Sequence, residues 1–223
     1  MNLTILRNMD RAKKIEQIFS DFLSHEVDYV MLRGSADLLP DGLDSKKDID
    51  ILVSPKDQHK VHKILKKKFF FVDIRLSEFS YLYGVDRFRY YRNIFYRINI
   101  DICYQLTCQS LNSSKEVVPL DKSIQGDIFL NIDVDKKFQW KRQLSLDNQV
   151  IYELPYSLFN KYGDVGRLKS VCKKFLTLDS DQRSRVEVKL GKIFFGFTPT
   201  LIRKLSDEKF ESLYKDYKEY QEY

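Results

Sequence analysis

Two aspartates separated by one isoleucine, Asp48-Ile49-Asp50, open a short apolar run that ends at Val53. Residues two apart in a strand project to the same face, so Asp48 and Asp50 stand side by side while Ile49, Ile51 and Val53 point the other way. Adjacent carboxylates repel each other. A pair of them on an otherwise apolar strand is costly unless a cation neutralises it, and oxygen ligands of this kind suit Mg²⁺ or Mn²⁺.

Upstream lies a second apolar run, Tyr29 to Leu32, followed by Arg33-Gly34-Ser35. A strand that runs into Gly-Ser and then a helix N-terminus leaves free backbone N–H groups and a helix dipole, both of which favour phosphate. Glycine lets the backbone approach an anion closely, and the Ser35 hydroxyl adds a donor. The loop from Ala36 to Lys47 is polar and carries Pro40, Asp41-Gly42 and Lys46-Lys47. Further on, Asp101 sits between Ile100 and Ile102 in a stretch rich in β-branched and aromatic residues, a pattern that predicts another strand.

Gly-Ser after one strand, Asp-Ile-Asp inside a second and a lone aspartate in a later one resemble the signature of the nucleotidyltransferase-fold superfamily. That superfamily includes DNA polymerase beta, aminoglycoside nucleotidyltransferases and the minimal nucleotidyltransferases. The sequence LRGS, then KDIDILV, then a tail with LFNKYG looks most like bacterial nucleotidyltransferase-like proteins associated with surface-polysaccharide synthesis. The resemblance covers about the first 105 residues. It implies an α+β fold: a mixed β-sheet flanked by helices over residues 1–150, the catalytic domain, followed by a helical domain over 151–223 that closes a cleft.

The resemblance also implies a chemistry, transfer of a nucleoside monophosphate from a nucleoside triphosphate to a hydroxyl by in-line displacement at phosphorus, assisted by Mg²⁺ or Mn²⁺. Asp48, Asp50 and Asp101 would be the metal-holding catalytic residues, and Gly34 and Ser35 would hold the β- and γ-phosphates. Arg33, Lys46 and Lys47 are basic groups near the same place. Lys161, Arg167 and Lys169 in the helical part are candidates for reaching the triphosphate. The acceptor is open: a small molecule, a sugar-linked hydroxyl or a protein hydroxyl.

Composition narrows the alternatives. A net charge of +6, with lysine and arginine spread along the whole chain, weighs against a nucleic-acid polymerase, which needs a concentrated basic groove. The second reading is a nucleotidyltransferase-like antitoxin or regulatory module that binds a protein partner without turnover. Three retained carboxylates favour the enzyme, because an inactive descendant has no chemical need for buried anions. No run of 18 apolar residues and no signal-type leader occurs, so the reading is a cytoplasmic protein without a membrane span. Cys103, Cys108 and Cys172 lack metal-ligand spacing and read as reduced, buried thiols.

Periodicity supplies the remaining elements. Asp10–Ser24 predicts an amphipathic helix, Ser54-Pro55 a helix start with a serine cap, and Phe69–Ile74 a strand. Phe88–Tyr91 and Ile94–Tyr104 predict a hairpin turning at Arg92-Asn93. Its arginines, Arg87, Arg89, Arg92 and Arg97, read as solvated positions on a half-exposed sheet, and His59 and His62 as surface histidines. Gln125-Gly126-Asp127 and Leu146-Asp147-Asn148 mark turns, and five helices follow Pro155.

Overall fold

The computed structural model describes residues 3–32, 48–67, 70–72, 85–93, 96–110 and 117–221. The chain forms two compact units that interleave in sequence: Met1–Gln105 with Ile132–Leu144, and Leu106–Asn131 with Ser145–Tyr223. A single cut near residue 150 therefore does not describe the division. Residues 106–131 leave the sheet unit, belong with the helices, and are followed by a return of the chain to the sheet.

The first unit is built on a seven-stranded mixed sheet. Its strands are β1 (Tyr29–Met31), β2 (Ile49–Val53), β3 (Phe70–Val72), β4 (Val85–Asn93), β5 (Tyr96–Cys103), β8 (Ile132–Val134) and β9 (Arg142–Leu144), in the order β3-β4-β5-β2-β1-β9-β8. Strand β2 runs parallel to β5 and β1 parallel to β9; the other neighbours are antiparallel. Helix α1 (Leu3–Ser24) repeats Ile15, Ile18, Phe19 and Phe22 at spacings of three and four, and all four are buried. With Val61 and Leu65 of α2 (Gln58–Leu65) they pack on Ile49, Ile51, Val53, Phe88, Ile98, Ile100 and Ile102 of the sheet. Phe19 stacks on Trp140 at 5.9 Å between ring centroids, and the Tyr29 hydroxyl donates to the Trp140 carbonyl at 2.5 Å.

Pro55 begins a single 3₁₀ turn ahead of α2, as its fixed φ and missing N–H allow. Ser54 makes no side-chain capping bond; the polar tie at this turn comes instead from Asp57, 1 % exposed, which accepts from the Asp28 backbone N–H at 3.0 Å and pairs with Lys60. His62 is not a solvated histidine either: its Nε2 meets Asp86 Oδ2 at 2.5 Å and its ring stands edge-on to Phe88.

The second unit holds a two-stranded ladder, β6 (Thr107–Gln109) with β7 (Val117–Pro119), and six helices among the described residues. Helix α3 (Lys122–Leu130) is capped by Asp121, whose carboxylate accepts from Ser123 N–H at 2.8 Å. Helix α4 (Leu146–Pro155) runs into a π-helical turn, Tyr156–Asn160. Helix α5 (Val165–Thr177) is capped by Asp164, and α6 (Ser180–Phe194) by a reciprocal capping box of Asp179 and Gln182. Helices α7 (Thr198–Ser206) and α8 (Leu213–Gln221) complete it around a cluster of Phe159, Phe194, Phe197 and Tyr217. Gly163 has φ +75°, and a Cβ there would collide with Tyr214, so the reversal between α4 and α5 requires glycine. No described helix is long and apolar enough to cross a membrane.

Candidate functional site

Strand register places the aspartates. In the parallel pair of β2 and β5, Asp50 lies beside Asp101, so their side chains share one face of the sheet. Alternation brings Asp48 and Asn99 to that same face. Strand β4, antiparallel to β5, sets Arg87 opposite Asp101 and Arg89 opposite Asn99. The other face carries the apolar core: Ile49, Ile51, Phe88, Ile98, Ile100 and Ile102 are each 0 % exposed, with Asp86 of β4 at its edge paired to His62 of α2. The three sequence-predicted carboxylates thus come to one place, on the side of the sheet opposite α1 and α2.

A cation for two of the carboxylates, Asp48 and Asp101, is supplied from within the sheet. Arg87 Nε donates to Asp101 Oδ1 at 2.6 Å, and its Nη2 donates both to Asp101 Oδ2 and, at 3.3 Å, to Asp48 Oδ2. This is a two-pronged guanidinium–carboxylate pair with a second carboxylate drawn in. The remaining Asp48 oxygen accepts from Asn99 Nδ2 at 2.6 Å. Asn99 is 5 % exposed, and its own Oδ1 has no hydrogen-bond partner. Burial pushes the Asp101 carboxyl above its ordinary value and the nearby Asp48 charge adds to this, while Arg87 and Arg89 pull it back without cancelling the shift.

Chemically the face offers a set of hard oxygens, the donors Mg²⁺ and Mn²⁺ prefer. As arranged, it does not fit such an ion. Both Asp101 oxygens and both Asp48 oxygens are already committed to Arg87 and Asn99, and among the described residues no group of three or more His, Cys, Asp or Glu is disposed to hold a metal.

Arg33, Gly34, Ser35, Lys46 and Lys47 lie outside the described residues. In the helical unit, Lys161 Nζ stands 5.6 Å from the centre of the Tyr156 ring, and the Arg167 guanidinium carbon 5.9 Å from the same ring. Lys169 is exposed on α5. None of the three cysteines forms a disulfide; Cys108 and Cys172 are buried, and burial pushes the Cys108 thiol up to about 12.

Two residues of the site, Arg87 and Asn99, escape the sequence reading. Arg87 is read there as a solvated arginine, whereas its side chain is 14 % exposed and clasped to Asp101. The signal for it lies in the hairpin register. A turn at Arg92-Asn93 would set Tyr91 opposite Ile94, and by counting back Asp101 opposite Gly84. The actual ladder pairs Tyr91 with Arg97 and Asn93 with Tyr96, with an irregularity between, which moves Arg87 opposite Asp101. The sequence matches no protein-family model, and no curated protein matches it.

Proposed function

We propose that the carboxylate face of the sheet is the working surface of a nucleotidyltransferase, which moves a nucleoside monophosphate from a nucleoside triphosphate to a hydroxyl. The observation that carries this is the register: Asp48, Asp50 and Asp101 share one face of adjacent parallel strands whose opposite face is entirely apolar. The strand that leads to Gly34-Ser35 pairs directly with the strand of Asp48 and Asp50, so the phosphate-binding and carboxylate parts of the sequence pattern arise from neighbouring strands.

Within this reading each group has a role its environment supports. Asp101, buried and clasped by Arg87 beside Asp48, is the third carboxylate of the set. Arg33, Gly34, Ser35 and Lys47 would bind phosphate oxygens. Lys161 and Arg167, two cations against one tyrosine ring, suit a phosphate or base contact. Mg²⁺ or Mn²⁺ is the cofactor that this reading carries with it, and a small-molecule, sugar-linked or protein hydroxyl is the acceptor.

One observation favours the second reading, a regulatory or antitoxin module that binds without turnover: two of the three carboxylates, Asp48 and Asp101, are already paired with Arg87. Calorimetry separates the two. Each of the four triphosphates is titrated with and without Mg²⁺ or Mn²⁺ into the wild type and into Asp48→Ala/Asp50→Ala. The transferase reading expects one triphosphate to bind in a metal-dependent manner and the double variant to lose that binding. Failure of every triphosphate to bind at millimolar concentration would overturn it in favour of the module.

A further inference from the structure

A guanidinium cannot shed its proton at any pH a protein survives, so Arg87 is a permanent charge that leaves the carboxylates only by moving. Its side chain is 14 % exposed and that of Asp101 8 %, so solvent screens the pair little. Asp48 is more open, its side chain 32 % exposed, and is held to Arg87 by the single longer contact of 3.3 Å. Beside them the Asn99 carbonyl oxygen is buried and without a partner, although its amide nitrogen is bonded to Asp48. A buried, unsatisfied oxygen costs free energy for as long as it stays so. Next to two carboxylates, a cation or a hydrogen-bond donor would satisfy it.

We infer that Arg87 is a resident counter-cation of this site: it occupies the oxygens of Asp48 and Asp101 that a divalent ion would need, so that the clasp and the ion exclude each other. The inference deepens the transferase reading and rests on it for its biological sense. On this account the disagreement between hard oxygen donors and the absence of a metal-ready arrangement is built in. A metal ion alone is resisted. A ligand that carries phosphate resolves the competition, because two phosphate oxygens can meet the guanidinium fork as the two oxygens of a carboxylate do. Arg87 then becomes a phosphate-binding residue in the loaded state and a guard in the empty one.

The test uses Mn²⁺ alone, without nucleotide, and follows the free ion by electron paramagnetic resonance. Wild type, Arg87→Met, Arg87→Lys and Arg87→Met/Asp101→Asn are titrated in parallel. Arg87→Met is expected to bind Mn²⁺ tighter than wild type by about ten-fold or more, the scale of losing one charge-assisted competitor. The double variant is expected to lose that gain, and Arg87→Lys, which keeps the charge but not the fork, to fall between. Equal Mn²⁺ affinity in wild type and Arg87→Met would overturn the inference, as would no Mn²⁺ binding in Arg87→Met.

If Arg87→Met does not fold without metal, the thermal midpoint of Arg87→Lys decides. Mn²⁺ should raise it more than it raises that of wild type, and an equal rise overturns the inference. The two proposals fail separately. Tight Mn²⁺ binding by Arg87→Met with no triphosphate binding by wild type would sink the transferase reading alone, whereas triphosphate binding by wild type with no Mn²⁺ gain in Arg87→Met would sink only the role of Arg87.

Discussion

Along β2 and β5 alternate residues face opposite ways. Ile49, Ile51, Ile100 and Ile102 pack beneath α1 and α2, while Asp48, Asp50, Asn99 and Asp101 share the other face with Arg87 and Arg89. The apolar face is stabilised by area removed from water, a non-directional effect shared among many contacts. The polar face depends on pairing, since a carboxylate out of water is tolerable only against a cation or a set of donors. One backbone therefore carries two kinds of stability. The face that can be changed piecemeal supports the face that depends on particular pairs, Arg87 with Asp101 and Asn99 with Asp48.

The largest effect should come from breaking this division outright. Ile100→Asp would bury a carboxylate in the apolar layer beneath α1, and should cost ~5 kcal/mol or more, enough to unfold a domain of ordinary stability. Ile100→Ala at the same place only leaves a cavity and should cost about 3 kcal/mol. Urea unfolding of the two variants checks the order. A carboxylate variant no less stable than the alanine variant would mean that the helix-covered face is not closed to water.

On the polar face the sharper test is a cycle. Arg87→Met leaves Asp101 buried beside Asp48 without its cation and should cost about 3 kcal/mol. Asp101→Leu alone removes a charge but leaves the guanidinium only its longer contact with Asp48. Making both changes should recover most of the loss, because a well-packed apolar pair can replace a buried ion pair at little cost. The coupling read from the four stabilities should be at least about 1 kcal/mol, and additivity of the two single changes would deny the clasp any energetic reality.

What the sequence made legible follows the same division. The period-two alternation of Asp48 to Val53 and of Ile98 to Ile102 is local, so it exposed both faces of both strands without knowledge of their neighbours. The partner of Asp101 was not local. It depends on the β4–β5 register, and the irregularity near Asn93 shifts that register away from what the turn residues suggest.

Turn signals misled elsewhere for a related reason. Gln125-Gly126-Asp127 lies in the middle of α3, where Gly126 faces open space, and the better marker was Asp121 with Ser123 at its N-terminus. Asp147 and Asn148 belong to the first turn of α4, where short polar side chains are favoured for the same hydrogen-bonding reason that makes them common in turns. Helix α1 begins at Leu3, ahead of the Asp10 start suggested by its apolar stripe, since nothing between Leu3 and Met9 breaks a helix.

The smallest expected effects are those of pH, and they set one carboxylate of the sheet unit against one of the helical unit. Asp101 and Asp147 are both buried and both face an arginine. At Asp147 burial would raise the carboxyl, but the Ser145 hydroxyl at 2.6 Å and Arg185 at 3.0 Å outweigh it, so the carboxyl lies below its ordinary value. A lowered native value means that its contribution is present above the ordinary carboxylate range and is lost as pH falls through the lowered value. At Asp101 burial wins and the shift is upward. The native state then keeps a proton that the unfolded chain releases, so stability falls as pH rises from the ordinary value of 3.8 through the raised one, and stays lower above it. Asp147→Asn should thus remove stability at neutral pH, by about 1 kcal/mol or less because Arg185 is more than half exposed, and leave the acid limb flatter. Asp101→Asn should remove the loss that sets in above 3.8 and should abolish triphosphate binding in the same protein. A variant of Asp101 whose stability still declines over that interval as the wild type does would show that Arg87 compensates the carboxylate fully, and that the site exacts no stability for its charge.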